Sequence, residues 1–501
     1  MKKAALSLWD RLSDFAVSIW TFGASLVLLV LNASWLILSS NLLPYDEYYH
    51  IGIIRFYAAQ WSPIISYQPP EMSLYGDVTR LSSYLYQYLM SFPYRLFDIF
   101  TDNETLIIIG LRFLNLGMIV VGIILFRKLF LEAKISKKVI NVATLVFVMT
   151  PILPLMAAQN NYDNLMFMFT PVVLLYAYRL VTQEVTLKNV LLLGTFGMLA
   201  TLVKHNFIVI FGAICVFVLV SLWRRYGLHV FHRFKISYFV KPASNLLVTA
   251  LFLFVLAVFM ERFGVNFIRY QQVKVDCARV QPVEVCQQFS PWRRNQAALA
   301  KIPETPLYGG VVTFSQHWGK TIMRGFYAIF ANIIPADLNR PDPFGHYVFK
   351  RLLPLPINIG YALLILGVTA LVITWRRTIR GSLFARMILF VSIVLAVSLW
   401  AFNFTFYLKY GRAYAIQARY LVPMLLPLIV IMGNALVVAT RVGVTRKARF
   451  LIAVLVVLYV YSGGVVGWAI KSNDNWYWPN NGVVLEANRA AKVVLKAVIP
   501  H

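Results

Sequence analysis

Apolar positions in this chain fall in long unbroken blocks rather than at the spacing of amphipathic helices or the alternation of half-buried strands. Runs such as TFGASLVLLVLNASWLIL and FLIAVLVVLYVYSGGVVGWAI match the roughly 18 to 20 apolar residues that cross a bilayer as a helix. About eleven blocks of that kind are readable, at 18–41, 105–126, 139–158, 165–182, 189–203, 206–222, 243–262, 356–375, 386–406, 419–440 and 450–470. The fifth and sixth are short and parted only by Lys204-His205-Asn206, so they read as a tight helix pair or as one broken segment. Two long polar pieces interrupt the blocks, 42–104 and 263–355. In the first, Pro44 opens a helical pattern through Ile51, Ile54, Tyr57 and Ala58, and SYLYQYLMSFPYRLFDIF forms a second. Both are aromatic-rich and one-sided, which predicts helices lying along the membrane interface. The predicted fold is an all-α polytopic membrane protein.

Charge orients this bundle. The chain is 59% hydrophobic and 13% charged, with a net charge of +27. Its basic residues cluster at 127–138, 223–235, 375–386 and 440–449, each joining two apolar blocks and nearly free of acids. That is the positive-inside pattern rather than a nucleic-acid surface, and it places these turns and the N-terminus in the cytoplasm. MKKAALSLWDRLSDF is too polar for the apolar core of a cleavable signal, so the first block reads as an uncleaved anchor. The expected divisions are a transmembrane module at 1–262, an outer loop at 263–355, further transmembrane helices at 356–470 and an outer tail at 471–501. The loop 42–104 then faces outward, carrying Asp46, Glu47, Glu71, Asp77, Asp98, Asp102 and Glu104 against Arg55, Arg80 and Arg95. Cys277 and Cys286 fall in the longest outer loop, where an oxidising compartment predicts a short disulfide. Two cysteines are too few for a tetrahedral zinc site.

Four short stretches carry chemistry. PYDEYYH, directly after the first block, sets Asp46 beside Glu47 in a chain with only 20 acids. Proline with acids in a first helical turn is an ordinary helix start. A partly desolvated carboxylate at a membrane mouth is equally what a general base for a hydroxyl acceptor requires. His50 lies one helical turn beyond Asp46, as an interfacial aromatic or a site residue. QNNYDN brings Asp163 to the same outer face, where Asn and Asp also serve simply as turn formers. Lys204-His205 interrupts a long apolar stretch, where a charge costs about 2.5–3.5 kcal/mol and commonly marks function. LKYGRAYAIQARYLVP puts Lys409, Arg412 and Arg419 at the outer end of the tenth block, with Arg419 about where the helix enters the membrane. Arginine keeps its charge when buried and grips phosphate with a planar fork; the simpler account is snorkelling to lipid headgroups, which suits Arg412 better. Carboxylates with fixed cations on one face suit a reaction in which a base activates a hydroxyl while cations hold a leaving phosphate.

These motifs resemble the GT-C superfamily of membrane glycosyltransferases, which includes protein O-mannosyltransferases and the lipid A aminoarabinose transferase. The likeness covers most of the chain as architecture, and its sharpest point is the acidic pair after the first span. It implies a GT-C-like bundle with interface helices in the first outer loop, and inverting transfer of a sugar from a polyprenyl-phosphate donor at the periplasmic face of a bacterial inner membrane. It implies Asp46 as the catalytic acid residue with Glu47 beside it, and Asp163 as the second acid. QARYLVP, with Arg419 and Tyr420, is similar to a G-R-Y-L-x-P element of a bacterial branch of such proteins, with Ala418 where that element has Gly; LVKHN resembles the same branch's basic residue. Lys204, His205, Arg419 and Tyr420 are accordingly expected at the donor phosphate, and His50, Arg412 and His317 nearer the acceptor. Some branches need a divalent metal and others none; the expectation here is none required. Expected partners are the lipid-linked donor, membrane lipids and a glycan, lipid or protein acceptor, with no nucleic acid. The rival readings are an O-antigen polymerase or ligase, favoured by the basic loop 263–355, and a lipid-linked glycan flippase or transporter, disfavoured by one-sided charges and the lack of a repeat.

Overall fold

The computed structural model describes residues 16–41, 43, 46–183, 185–227, 243–301, 310–327, 329–332, 347–350, 353–410, 415–442, 446–479 and 481–499. Its helices are α1 Ile19–Ser39, α2 Glu47–Ala58, α3 Leu85–Phe100, α4 Glu104–Glu132, α5 Lys137–Val148, α6 Ile152–Ala157, α7 Tyr162–Thr182, α8 Leu187–Val203, α9 Phe207–Tyr226 and α10 Ala243–Phe259. They continue as α11 Val265–Tyr270, α12 Val283–Gln288, α13 Ser290–Lys301, α14 Gly310–Gly325, α15 Pro354–Ile373, α16 Leu383–Tyr410, α17 Val422–Val442, α18 Arg446–Ser462, α19 Val466–Lys471 and α20 Gly482–Val498. One short antiparallel ribbon, β1 Ile329–Asn332 with β2 Tyr347–Lys350, is added to this helical bundle.

The chain is a multi-pass membrane protein: eight segments among the described residues are long and apolar enough to cross a bilayer, and α8 and Ala448–Ser462 are shorter apolar helices. Polar side chains start many of them where the sequence offers a cap. Ser18 accepts from Trp20 N, Asn103 from Thr105 N, Ser136 from Val139 N and Asn161 from Asp163 N, each satisfying a backbone donor that the first helical turn leaves open. The fifth and sixth blocks are two helices, with Lys204-His205-Asn206 as the turn between them.

Two expected blocks are broken, and the breaks are paired with each other. Pro151 parts α5 from α6, and Gly463-Gly464 part α18 from α19. Met149 O accepts from Gly464 N at 2.7 Å, Ile152 N donates to Phe326 O at 3.0 Å, and Asn32 Oδ1 accepts from Val465 N at 2.9 Å. Backbone freed from a helix in a membrane must find such partners, because lipid offers none. A side chain at position 463 would meet Met149 O at 2.3 Å, and Gly464 holds φ +60, so both glycines are required there.

The described parts of the two long polar pieces and of the tail pack against one another and against the bundle. Helices α2 and α3 pack together. Arg80 ties the loop between them to the segment after α10 through Glu261 and to α11 through Asn266, both at 2.8 Å. Cys277 and Cys286 are disulfide-bonded, and Phe289 just beyond packs against Gly76. Gly325 of α14 rests on Ala418; a Cβ on residue 325 would lie 2.9 Å from the Ala418 Cβ. The tail closes the ring: Tyr477 bridges Ser40, Asn41 N donates to Trp476 O, and Trp478 N donates to Ser39 O.

Candidate active site

The acidic pair after α1 is split by the fold into two environments. Glu47, in the first turn of α2, is fully buried and forms a two-pronged ion pair with Arg112 of α4, at 2.9 and 2.7 Å. Its oxygens also accept from Leu43 N at 2.6 Å and Asn160 N at 2.9 Å. Arg112 in turn donates to Ile37 O, Ser40 O and Asn41 O, and lies under the Trp478 ring. Every strong donor and acceptor of this pair is thus taken by protein, which is the condition under which a buried ion pair persists. It staples together the end of α1, the start of α2 and the turn before α7.

Asp46 has the opposite character. It precedes α2 in the left-handed region, φ 70, which Asp tolerates better than most residues and which is sparsely populated outside functional or turn positions. Its side chain is 55% accessible by area, where that of Glu47 is fully buried. Arg419 Nη2 donates to it at 2.8 Å. Burial by the surrounding protein pushes its pKa up, but the Arg419 charge and hydrogen bond, then His50 and Lys204, hold it below the usual carboxylate range.

Arg419 comes from the short turn Ala418–Leu421 that leads into α17, and its guanidinium also lies 3.5 Å from Asp163. Asp163, in the first turn of α7, pairs on its other oxygen with Lys204, the residue that ends α8. Both acids therefore sit at helix N-termini and Lys204 at a C-terminus, where the helix dipole favours their charges. The Lys204 ammonium lies between the Tyr162 and Tyr420 rings, 4.5 and 4.2 Å from their centroids, a cation–π cradle for a charge that is 1% exposed. Burial pulls its pKa down to about 8, with Asp163 opposing and Arg419 assisting. Residues from four places in the sequence thus converge: two carboxylates and two cations, alternating and electrically balanced.

The remaining sequence-predicted residues surround this core unevenly. His50 is buried, with Nδ1 3.0 Å from the Gln87 amide and its ring edge-on to Tyr162 at 4.4 Å. Its Nε2 has no hydrogen-bond partner among the described residues, and burial lowers its pKa to about 3, so it is a neutral imidazole at ordinary pH. His205 is docked on Ser83, with Nδ1 and the backbone N each 2.9 Å from the hydroxyl. Tyr420 meets the core through its ring, 4.2 Å from the Lys204 ammonium and 5.4 Å from the Arg419 guanidinium. His317 is exposed on α14, and Arg412 lies outside the described residues. Two basic residues join the site without having been singled out for it. Arg112 had a legible signal, a lone charge inside the apolar run IIIGLRFLNLGM. Lys274 had none beyond its charge: it follows Val273, whose carbonyl accepts from Ser82 at 2.6 Å, and its field reaches both Asp46 and His205. Among the described residues, no three His, Cys, Asp or Glu side chains cluster as a metal site.

No protein-family model matches the sequence, and no curated protein matches it either. Among solved structures the fold is similar to that of ArnT from Cupriavidus metallidurans. The form bound to undecaprenyl phosphate has 14% identity and TM-score 0.45, covering 95% of this chain and 69% of that one. The apo form has the same identity and TM-score over 98% and 73%. An Archaeoglobus fulgidus oligosaccharyltransferase in complex with Zn and sulfate is similar at 14% identity and TM-score 0.46, over 94% of this chain and 57% of that one.

Proposed function

We propose that this chain is an inverting glycosyltransferase that moves a sugar from a polyprenyl-phosphate donor to an acceptor hydroxyl at the periplasmic face of a bacterial inner membrane. The observation that carries this reading is the Asp46–Arg419–Asp163–Lys204 cluster at four helix ends, in which Asp46 is the accessible member and the other three side chains are buried. The acceptor oxygen attacks the anomeric carbon and passes its proton to Asp46 as that bond forms. The bond from the anomeric carbon to the phosphate oxygen breaks, and the electron pair leaves with the lipid phosphate, held by Arg419 and Lys204. Attack opposite the leaving group inverts the anomeric centre.

The balanced charges at rest give this sequence an order. A donor phosphate adds negative charge, so it competes with Asp46 for Arg419. Losing that hydrogen bond raises the basicity of Asp46 at the moment a base is wanted. Asp163 keeps Lys204 and Arg419 oriented, and Tyr162 and Tyr420 wall the ammonium from water. The two cations occupy the role a divalent ion would have beside a leaving phosphate, so we assign no required metal; chelation is expected to leave the rate unchanged. Helix α14, in loop 263–355, packs on Ala418 beside Arg419, and the loop is assigned to the acceptor, which is a glycan, lipid or protein.

The test is hydrolysis in the absence of acceptor. Purified protein given a polyprenyl-phosphate sugar should slowly release polyprenyl phosphate, and Asp46→Asn should lower that rate by about 10²-fold or more with an unchanged melting temperature. An unaltered rate in Asp46→Asn removes the assigned base.

A further inference from the structure

A cavity lies away from the charged cluster, along the opposite stretch of α17. Between α5, α15, α17 and α18 the packing leaves an almost wholly apolar cleft of about 570 Å³. Glycines line it: Gly360 and Gly367 from α15, against Tyr327 and Met432, and Gly433 from α17, where an added Cβ would meet Val139 at 3.3 Å. Its lining on α17 runs from Leu425 to Thr440, about 22 Å along the axis at 1.5 Å per residue. That is most of the roughly 30 Å apolar thickness of a bilayer.

The two ends differ. The end towards Arg419 is closed by Phe326, Tyr327 and a hydrogen bond between Thr150 and Tyr459, 3.0 Å apart, and carries no charged lining residue. The other end is lined by Lys138 of α5 and Arg449 of α18, whose Nη2 donates to Thr440 O at 2.8 Å. The sequence adds Lys137, Arg441, Arg446 and Lys447 on the same helix ends, with no acid between Val437 and Ala453. Apolar cavities of this size stay dry and accept apolar ligands, and a basic rim at a membrane surface attracts anionic headgroups. We infer that the cleft is a binding site for an anionic phospholipid of the leaflet on the basic face, its acyl chain along α17 and its phosphate at Lys138 and Arg449. The cationic end lies at the far end of α17 from Arg419, so this lipid is distinct from a donor lipid whose phosphate sits at Arg419.

The experiment uses full-length protein purified in detergent and stripped of lipid, with thermal unfolding followed as lipids are added. Phosphatidylglycerol should raise the melting temperature at concentrations at least tenfold lower than phosphatidylcholine. The pair Lys138→Glu and Arg449→Glu, at the rim of the cleft, should abolish that preference, and Gly433→Phe, which fills the cleft, should remove the response to both lipids. Equal potency of the two lipids, or a preference that survives the charge reversal, overturns the inference. So does stabilisation of the wild type by polyprenyl phosphate at lower concentrations than phosphatidylglycerol if Gly433→Phe removes it.

Discussion

Arg419 already holds Asp46 at 2.8 Å and lies 3.5 Å from Asp163, so an incoming phosphate meets a guanidinium in use, and the ammonium of Lys204 is the group whose charge pH can switch. Its pKa of about 8 predicts an alkaline limb in kcat/KM near pH 8, because the neutral amine no longer holds the leaving phosphate. In Lys204→Arg that limb should vanish, since a guanidinium stays charged through the same range. Stability moves the other way. Between about pH 8 and the ordinary lysine value, the folded chain binds fewer protons than the unfolded chain, so the Lys204 contribution to stability rises with pH there. Asp46 has the same sign in a more acidic window: its lowered pKa contributes stability above the ordinary aspartate value, and this is lost as pH falls through the folded value. A kcat/KM profile and a melting profile from pH 7 to 10 should therefore diverge. Parallel loss of both would mean that the limb reports unfolding rather than Lys204.

At the scale of elements, neighbouring acids are separated by which segment each one meets. Asp46 is accessible and meets Arg419, while Glu47 joins α1, α2 and the turn before α7 through Arg112. Glu47→Gln or Arg112→Met leaves an uncompensated buried partner and should cost about 3–5 kcal/mol, whereas Asp46→Asn, more than half accessible, should cost little. Changing Glu47 and Arg112 together should cost less than the sum of the single changes, which thermal unfolding of the four proteins measures. Nothing in PYDEYYH distinguishes these fates, because they depend on Arg112, 65 residues further along the chain. The helices themselves were legible, since membrane spans are set by length and apolarity, which a sequence displays directly. Their breaks were less so: Pro151 and Gly463-Gly464 are visible as residues, but their pairing through Met149 and Phe326 is a property of tertiary packing. Lys204-His205-Asn206 shows a milder limit: the sequence leaves a tight helix pair and one broken segment both open, and the structure shows the pair, with His205 held on Ser83.

Across the whole molecule, four charges from four sequence-distant segments meet because each lies at a helix end and those ends gather on one side. The sequence predicts that gathering through parity: basic turns on one face leave PYDEYYH, QNNYDN, LVKHN and QARYLVP on the other. It does not reveal how far the outer pieces fold over the cluster, as α14 does at Ala418 and the tail does at Ser40. Parity is also the ground on which the cluster is proposed to face outward, and the proposed donor depends on it, since only outside the cytoplasm is a sugar donor restricted to lipid-linked forms. A cysteine at Val312 of α14, 70% exposed, and one at Arg380, between α15 and α16, report the two faces in a Cys215→Ser background. On intact spheroplasts a membrane-impermeant maleimide should label Val312→Cys, and should label Arg380→Cys only after permeabilisation. The reverse pattern would place Asp46 and Arg419 in the cytoplasm. There soluble nucleotide sugars are plentiful, and the phosphate held by Arg419 and Lys204 need not carry a lipid at all.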